Sequence, residues 1–147
     1  MLDDFSDGVN RAKGSKFNKD NNGVKFHPSQ KWKDNVMEVQ KKGSATTDSI
    51  DVSERTKCRV KMDFYMRRLT PSEKFCVEYS TGGGNSFTPV SCYTHGKDGK
   101  NNKRWYIDEI TEVISVKKSN NVQIRLKMNA NSNKKDTFID KLSLECQ

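Results

Sequence analysis

The 147-residue chain predicts an all-β protein, an antiparallel β-sandwich with about eight to nine strands, and three observations carry that expectation. Apolar residues recur at every second position in several extended runs, the spacing of strands with one buried face. The glycine stretch Gly82-Gly83-Gly84 separates two such runs, as a hairpin loop would. Helical spacing is weak throughout by comparison. With 32% hydrophobic and 31% charged residues, the sequence reads as one domain over residues 1–147 with a modest core.

Taken in order, Asn35 to Gln40 reads as a strand, although Trp32, Val36 and Val39 also fit one face of a short helix. From Thr56 to Met66 the alternation is unbroken: Cys58, Val60, Met62, Phe64 and Met66 fall on one side, and Lys57, Arg59, Lys61, Asp63 and Tyr65 on the other. Lys74 to Ser80 and Phe87 to Tyr93 flank Thr81-Gly82-Gly83-Gly84-Asn85-Ser86, a loop rich in residues that accept positive backbone angles. Arg104 to Val116 supplies a further extended run. Val122, Ile124, Leu126 and Met128 alternate with Gln123, Arg125 and Lys127, and Phe138, Asp140, Leu142, Leu144 and Cys146 repeat the pattern at the end.

Four cysteines, Cys58, Cys76, Cys92 and Cys146, include no C-x-x-C pair, and His27 and His95 are the only histidines, so a zinc site is not expected. An even count in a loop-rich chain of this size points instead to disulfides and an extracellular compartment. Strand phase selects the pairing. Cys76 and Cys92 lie equally far from a hairpin centred near Gly84, on its outer side, whereas Cys58 and Cys146 share faces with Val60 and Leu144. The expected bonds are therefore Cys58–Cys146 and Cys76–Cys92.

Three segments together show a family resemblance. Phe75-Cys76-Val77-Glu78-Tyr79-Ser80-Thr81-Gly82-Gly83-Gly84-Asn85-Ser86-Phe87 resembles the F-x-V-E-Y-S-x-D-G-G-x-x-W hairpin of extracellular jelly-roll modules. Asp136-Thr137-Phe138-Ile139-Asp140-Lys141-Leu142-Ser143-Leu144 is similar to their closing D-x-x-Y-I-D-D-V-x-L strand, and Leu2-Asp3-Asp4-Phe5-Ser6-Asp7-Gly8 to the opening N-G-D-F-E-D-G. The resemblance is to the broad superfamily of MAM-like and carbohydrate-binding-module-like sandwiches, including modules repeated in secreted proteins of marine microalgae and bacteria. It implies a jelly-roll fold, secretion, and roles in carbohydrate binding, cell adhesion or extracellular matrix. Thr81, Phe87, Ser6 and Lys141 depart from the acidic or tryptophan positions of these motifs.

In such modules a structural calcium ion commonly joins the opening and closing segments. The resemblance places Asp140 among its ligands, with Asp3, Asp4 and Asp7 as candidate partners. Asp140 shares the phase of Phe138, Leu142 and Leu144, so a regular strand points it inward, where a carboxylate needs a cation or several donors.

Function classes narrow by elimination. Two histidines without a nearby activated Ser or Cys make no triad, and Asp108 and Glu109, as strand neighbours, point to opposite faces, so catalysis is not expected. No apolar stretch is long enough for a membrane helix, and the first 30 residues lack the pattern of a signal peptide, so a mature or excised soluble module is expected, without membrane insertion. The formal charge of +8 attracts polyanions, but no nucleic-acid motif accompanies it. Binding remains. Tyr93, His95, Trp105 and Tyr106 cluster in or beside the loop Thr94 to Lys103 as candidate sugar contacts, with Trp105 as the platform. Since Trp105 shares a side with Ile107, it also fits a core position, with Tyr106 then outward. Arg59, Lys61, Arg67, Arg125 and Lys127 take outward phases of two strands and, if those strands are neighbours, form a basic face for an anionic polysaccharide. The alternative is a structural spacer or a domain that contacts an extracellular protein.

Overall fold

The computed structural model describes the backbone of residues 2–3, 11–12, 15–29 and 34–147 and the side chains of 18–27 and 36–147. Its strands are β1 (Leu2–Asp3), β2 (Arg11–Ala12), β3 (Ser15–Lys19), β4 (Val24–Ser29), β5 (Asp34–Gln40), β6 (Ser44–Thr47), β7 (Lys57–Arg67), β8 (Lys74–Ser80), β9 (Thr88–Tyr93), β10 (Trp105–Ile110), β11 (Ile114–Ser115), β12 (Gln123–Asn129) and β13 (Asp136–Cys146). Thirteen strands exceed the eight or nine expected, because β1, β2 and β11 are two-residue segments and β3 and β6 are short and polar. Among the described residues no helix is long and apolar enough to cross a membrane.

All pairings are antiparallel and form two layers. Sheet I runs β4-β5-β13-β7-β10, with β1 beside the second half of β13 and β11 beside the start of β7. Sheet II runs β3-β6-β12-β8-β9. Strand β2 pairs with both β1 and β3 and so carries the ladder from one sheet to the other.

The period of two decides what lies between the layers. β7 contributes Cys58, Val60, Met62, Phe64 and Met66, and β12 contributes Ile124, Leu126 and Met128, all buried as their alternation requires. Phe64 is the hub: its ring centroid lies 4.6 Å from that of Tyr93, 5.2 Å from Tyr106 and 6.1 Å from Phe75. Each fully buried side chain of this size contributes about 1.5–3 kcal/mol of transfer free energy.

Both disulfides join the pairs that strand phase selects. Cys58 and Cys146 occupy opposed positions on β7 and β13, and Cys76 and Cys92 on β8 and β9, with Cα separations of 4.0 and 4.1 Å.

Three expectations fail, each for a topological reason. A register shift between Asp140 and Ser143, with Lys141 at φ 49°, resets the phase of β13. Asp140 consequently shares the outer side of sheet I with Phe138, opposite Asp63 and Tyr65, while Ile139, Leu142 and Leu144 face the core. In β10 it is Tyr106 that packs on the core; Trp105 lies outward against Tyr65, with ring centroids 5.5 Å apart, and Ile107, at the start of a bulge, is 58% exposed. Finally, β7 and β12 belong to different sheets, so Arg59, Lys61 and Arg67 cannot form one basic face with Arg125 and Lys127.

Candidate functional site

A ligand-binding face has to be open, and the outer side of sheet II is the more open of the two. Register aligns Asn18, Thr46, Arg125 and Glu78 in one row across β3, β6, β12 and β8. The glycine loop walls this row at one end. Ser80 Oγ accepts hydrogen bonds from the N–H groups of Gly82 (3.3 Å) and Gly84 (3.0 Å), which turns the loop back toward β12. Gly83 and Gly84 take φ of 75° and 87°, and a Cβ on them would meet Asn121 Nδ2 at 2.5 Å and Gln123 Oε1 at 2.6 Å. Only glycine allows so close an approach. Phe87, at the end of the loop, then lies under the Arg125 guanidinium, 4.1 Å from ring centroid to Cζ. The result is a shallow cleft of about 430 Å³ whose lining includes Asn18, Asp20, Ser44, Thr46, Phe87 and Arg125.

Its polar groups are held in place. Asp20 Oδ2 accepts from Ser44 Oγ (2.8 Å) and Thr46 Oγ1 (2.7 Å), and Asn18 Nδ2 donates to Asp48 Oδ1 (2.8 Å). Arg125 Nε donates to Glu78 Oε1 at 2.6 Å, and its terminal N–H groups make no hydrogen bond among the described residues. Gln123 Nε2 donates to Thr47 O at 2.9 Å, leaving Oε1 buried without a partner among the described residues. Fixed donors and acceptors around an aromatic ring match a ligand with a C–H face and hydroxyl edges.

The outer side of sheet I is chemically rich but occupied. Lys25, Glu38, Phe138, Tyr65 and Trp105 form one row across its five strands. Phe138 is only 2% exposed. Arg67 binds Asp136 through two hydrogen bonds of 2.9 and 2.6 Å, and His27 Nε2 meets Glu38 Oε1 at 2.9 Å. Burial pushes Asp136 up to about 7, with Arg67 opposing and Glu38 adding to the shift. Burial works against the Glu38 carboxylate too, but hydrogen bonds from Asp136 and His27 outweigh it and hold Glu38 below its usual range. The two carboxyl groups therefore titrate together, with Asp136 shifted up and Glu38 shifted down.

The remaining sequence candidates scatter. Tyr93 is 92% buried, its ring packed on Phe64. His95 Nδ1 accepts from the Asn102 N–H (3.1 Å), and Tyr106 Oη accepts from the Asn101 N–H (2.6 Å), so both brace the loop between β9 and β10. Trp105 is half-buried on sheet I, and Lys127 is exposed on sheet II beside Cys76. Of the calcium candidates, Asp4 and Asp7 lie outside the described residues, and Asp3 is described through its backbone, paired opposite Leu142. Asp140 is 3% exposed and faces Asp63, 2% exposed. Among the described residues no group of three or more histidine, cysteine or acidic side chains is placed to hold a metal ion. Asn18, Asp20, Thr46 and Phe87 escape a reading by motif; Phe87 alone carried a signal, as the aromatic closing the glycine hairpin.

No protein family and no curated protein matches the sequence. Solved structures do match in fold. The CBM22-1 xylan-binding domain from Paenibacillus barcinonensis Xyn10C superposes with a TM-score of 0.64 at 8% identity, covering 99% of this chain and 92% of that one. The K1 cleaved adhesin domain of Lys-gingipain from Porphyromonas gingivalis gives 0.65 at 11% identity, covering 100% and 98%. TmCBM61, solved with β-1,4-galactotriose, gives 0.53 at 12% identity, covering 90% and 88%. This chain has the β-sandwich fold of those modules.

Proposed function

We propose that the chain is a non-catalytic, extracellular polysaccharide-binding module that takes its ligand on the outer face of sheet II. The observation that carries this reading is the Phe87–Arg125 stack above a row of fixed polar side chains, in an open cleft. A sugar ring lays its C–H face against the exposed side of the Phe87–Arg125 stack, and its hydroxyls meet Asp20, Asn18 and the Arg125 N–H groups that make no hydrogen bond among the described residues. The fold shared with xylan- and galactotriose-binding modules supports the class of ligand, and the two disulfides support an oxidising compartment. The charge of +8, with Lys127 exposed beside Arg125, favours an acidic polymer over a neutral one.

Affinity electrophoresis against neutral xylan, galactan, a uronic-acid polymer and a sulfated glycan tests this. The uronic or sulfated polymer is expected to bind most tightly, and Phe87→Ala to weaken it about tenfold, the worth of a partly desolvated cation–π stack. Retention by none of the four would favour the spacer or protein-contact role instead.

A structural calcium ion belongs to the same proposal. Asp140 and Asp63, buried at facing positions, supply hard oxygens, and β1 brings the backbone of Asp3 alongside the bulge that follows Asp140. The melting temperature is expected to rise with calcium and fall with chelator, and Asp140→Ala to remove the response. A melt that ignores both additions would leave these carboxylates to hydrogen bonding alone.

A further inference from the structure

A second cleft opens where the two sheets meet at their β9 and β10 edges, on a different side of the sandwich from the Arg125 face. It measures about 370 Å³, and its lining includes Val90, Ser91, Tyr93, Asp98, Glu109 and Glu112. The strands explain its shape: β9 is the edge of sheet II and β10 the edge of sheet I, and the Glu112 N–H donates to Ser91 Oγ at 3.0 Å, tying the two edges together across one end.

Tyr93 makes this cleft unusual. Its ring belongs to the core, but its hydroxyl is buried and has no hydrogen-bond partner among the described residues. Ser91 Oγ, which accepts the Glu112 N–H, lies close enough to lower the phenol's pKa but outside hydrogen-bond geometry. Burial, then the negative charge of Glu109 and to a lesser degree Glu112, pushes the phenol up to about 12 against the opposing effect of Ser91, so it stays a proton donor. A buried donor without an acceptor costs about 1–3 kcal/mol unless something supplies one.

The other groups indicate what that is. Lys97 and Lys100 balance Asp98, Glu109 and Glu112 almost to neutrality, and Lys100 Nζ already sits 3.3 Å from Glu109 Oε1. A strongly charged ligand of either sign meets like charge there. A neutral polyol ring does not: its hydroxyls donate to carboxylates and accept from lysine and phenol, and its C–H face lies on Val90 and Ile110. The volume suits one or two rings.

We infer that this edge cleft is a second binding site, for a neutral terminal sugar ring, with Tyr93 as the donor that reads a ring oxygen or hydroxyl. It does not depend on the Arg125 face, and the two differ in salt response.

Amide chemical shifts of the full chain, titrated with the methyl glycosides of xylose, galactose, glucose and mannose, provide the test. At least one glycoside should move the amides of residues 91–93 and 109–112 saturably, with a dissociation constant below about 10 mM and little change between low and high salt. Tyr93→Phe keeps the ring and removes only the hydroxyl, so it should melt at or above the parent temperature yet bind about tenfold more weakly. Glu112→Gln should also weaken binding, and Arg125→Ala should leave it unchanged. Absence of shifts with all four glycosides overturns the inference. So does Tyr93→Phe binding as tightly as the parent, or losing stability, which would make the hydroxyl structural.

Discussion

The outer faces of sheets I and II carry similar side chains and use them differently. Each has an arginine stacked on a phenylalanine and joined to a carboxylate: Arg67 over Phe138 with Asp136 on sheet I, and Arg125 over Phe87 with Glu78 on sheet II. On sheet I the carboxylate is fully buried, the phenylalanine is covered and the arginine is held by two hydrogen bonds. On sheet II the arginine is held by one, and the ring lies half-exposed on a loop. The difference lies in the ring and the carboxylate rather than in the arginine, since the Arg67 side chain, 34% exposed, is more open than that of Arg125 at 25%.

The strongest test of that contrast removes the enclosed carboxylate. Asp136→Ala leaves Arg67 without its two hydrogen bonds and Glu38 without its proton donor, so unfolding free energy should drop by about 2–3 kcal/mol, measured by urea denaturation. Glycan binding on sheet II should not change. A variant as stable as the parent would show that the sheet I cluster contributes nothing beyond its shape.

Protonation separates the faces next. In the unfolded chain Asp136 ionises near 3.8, whereas in the fold it keeps its proton up to about 7. Between those values the folded state binds more protons, so stability falls as pH rises through the window and levels off above it. Glu38 works the other way at lower pH: its depressed value adds stability above about 4.5 that is lost on acidification. Stability is therefore expected to peak in mildly acidic solution, and Asp136→Asn, which keeps a donor toward Glu38, should flatten the decline toward neutral pH. A parent whose stability climbs steadily from pH 5 to 7 would show that Asp136 is ionised in the fold.

How much of this was legible in the sequence follows from what a period of two can encode. It places Met62, Phe64, Ile124 and Leu126 inside, and by the same logic it pairs Cys58 with Cys146 and Cys76 with Cys92, since opposed residues share a face. It cannot foresee a bulge, because the extra residue leaves no compositional mark; hence Asp140 and Phe138 read as inward. Nor does it say which of two apolar sides is the inner one: Trp105 shares a side with Ile107, and it is Tyr106 on the other side that packs on the core. Nor can it assign strands to sheets. That depends on long-range pairing, so the basic residues of β7 and β12 read as one surface and turn out to be two. The sheet II cleft was the least legible, because Asn18, Asp20, Thr46 and Phe87 come from three separate segments that only the register brings together.

The smallest expected effect distinguishes charge from stacking within the open face. Lys127 is exposed, opposite Ser44 and Cys76 and one outward position from Arg125, and its ammonium has no salt-bridge partner among the described residues. Lys127→Ala should therefore weaken binding to an acidic glycan only through screened attraction: about two- to fivefold at low salt, and not measurably once the Debye length has shrunk to about 3 Å near 1 M salt. Arg125→Ala removes both its charge and its contact with the Phe87 ring, and the packing part does not depend on ionic strength. Its loss should persist at high salt. If Lys127→Ala and Arg125→Ala weaken binding in parallel and both losses vanish at high salt, the open face acts by charge alone, and the stacked arginine on sheet II has no recognition role beyond that of a surface lysine.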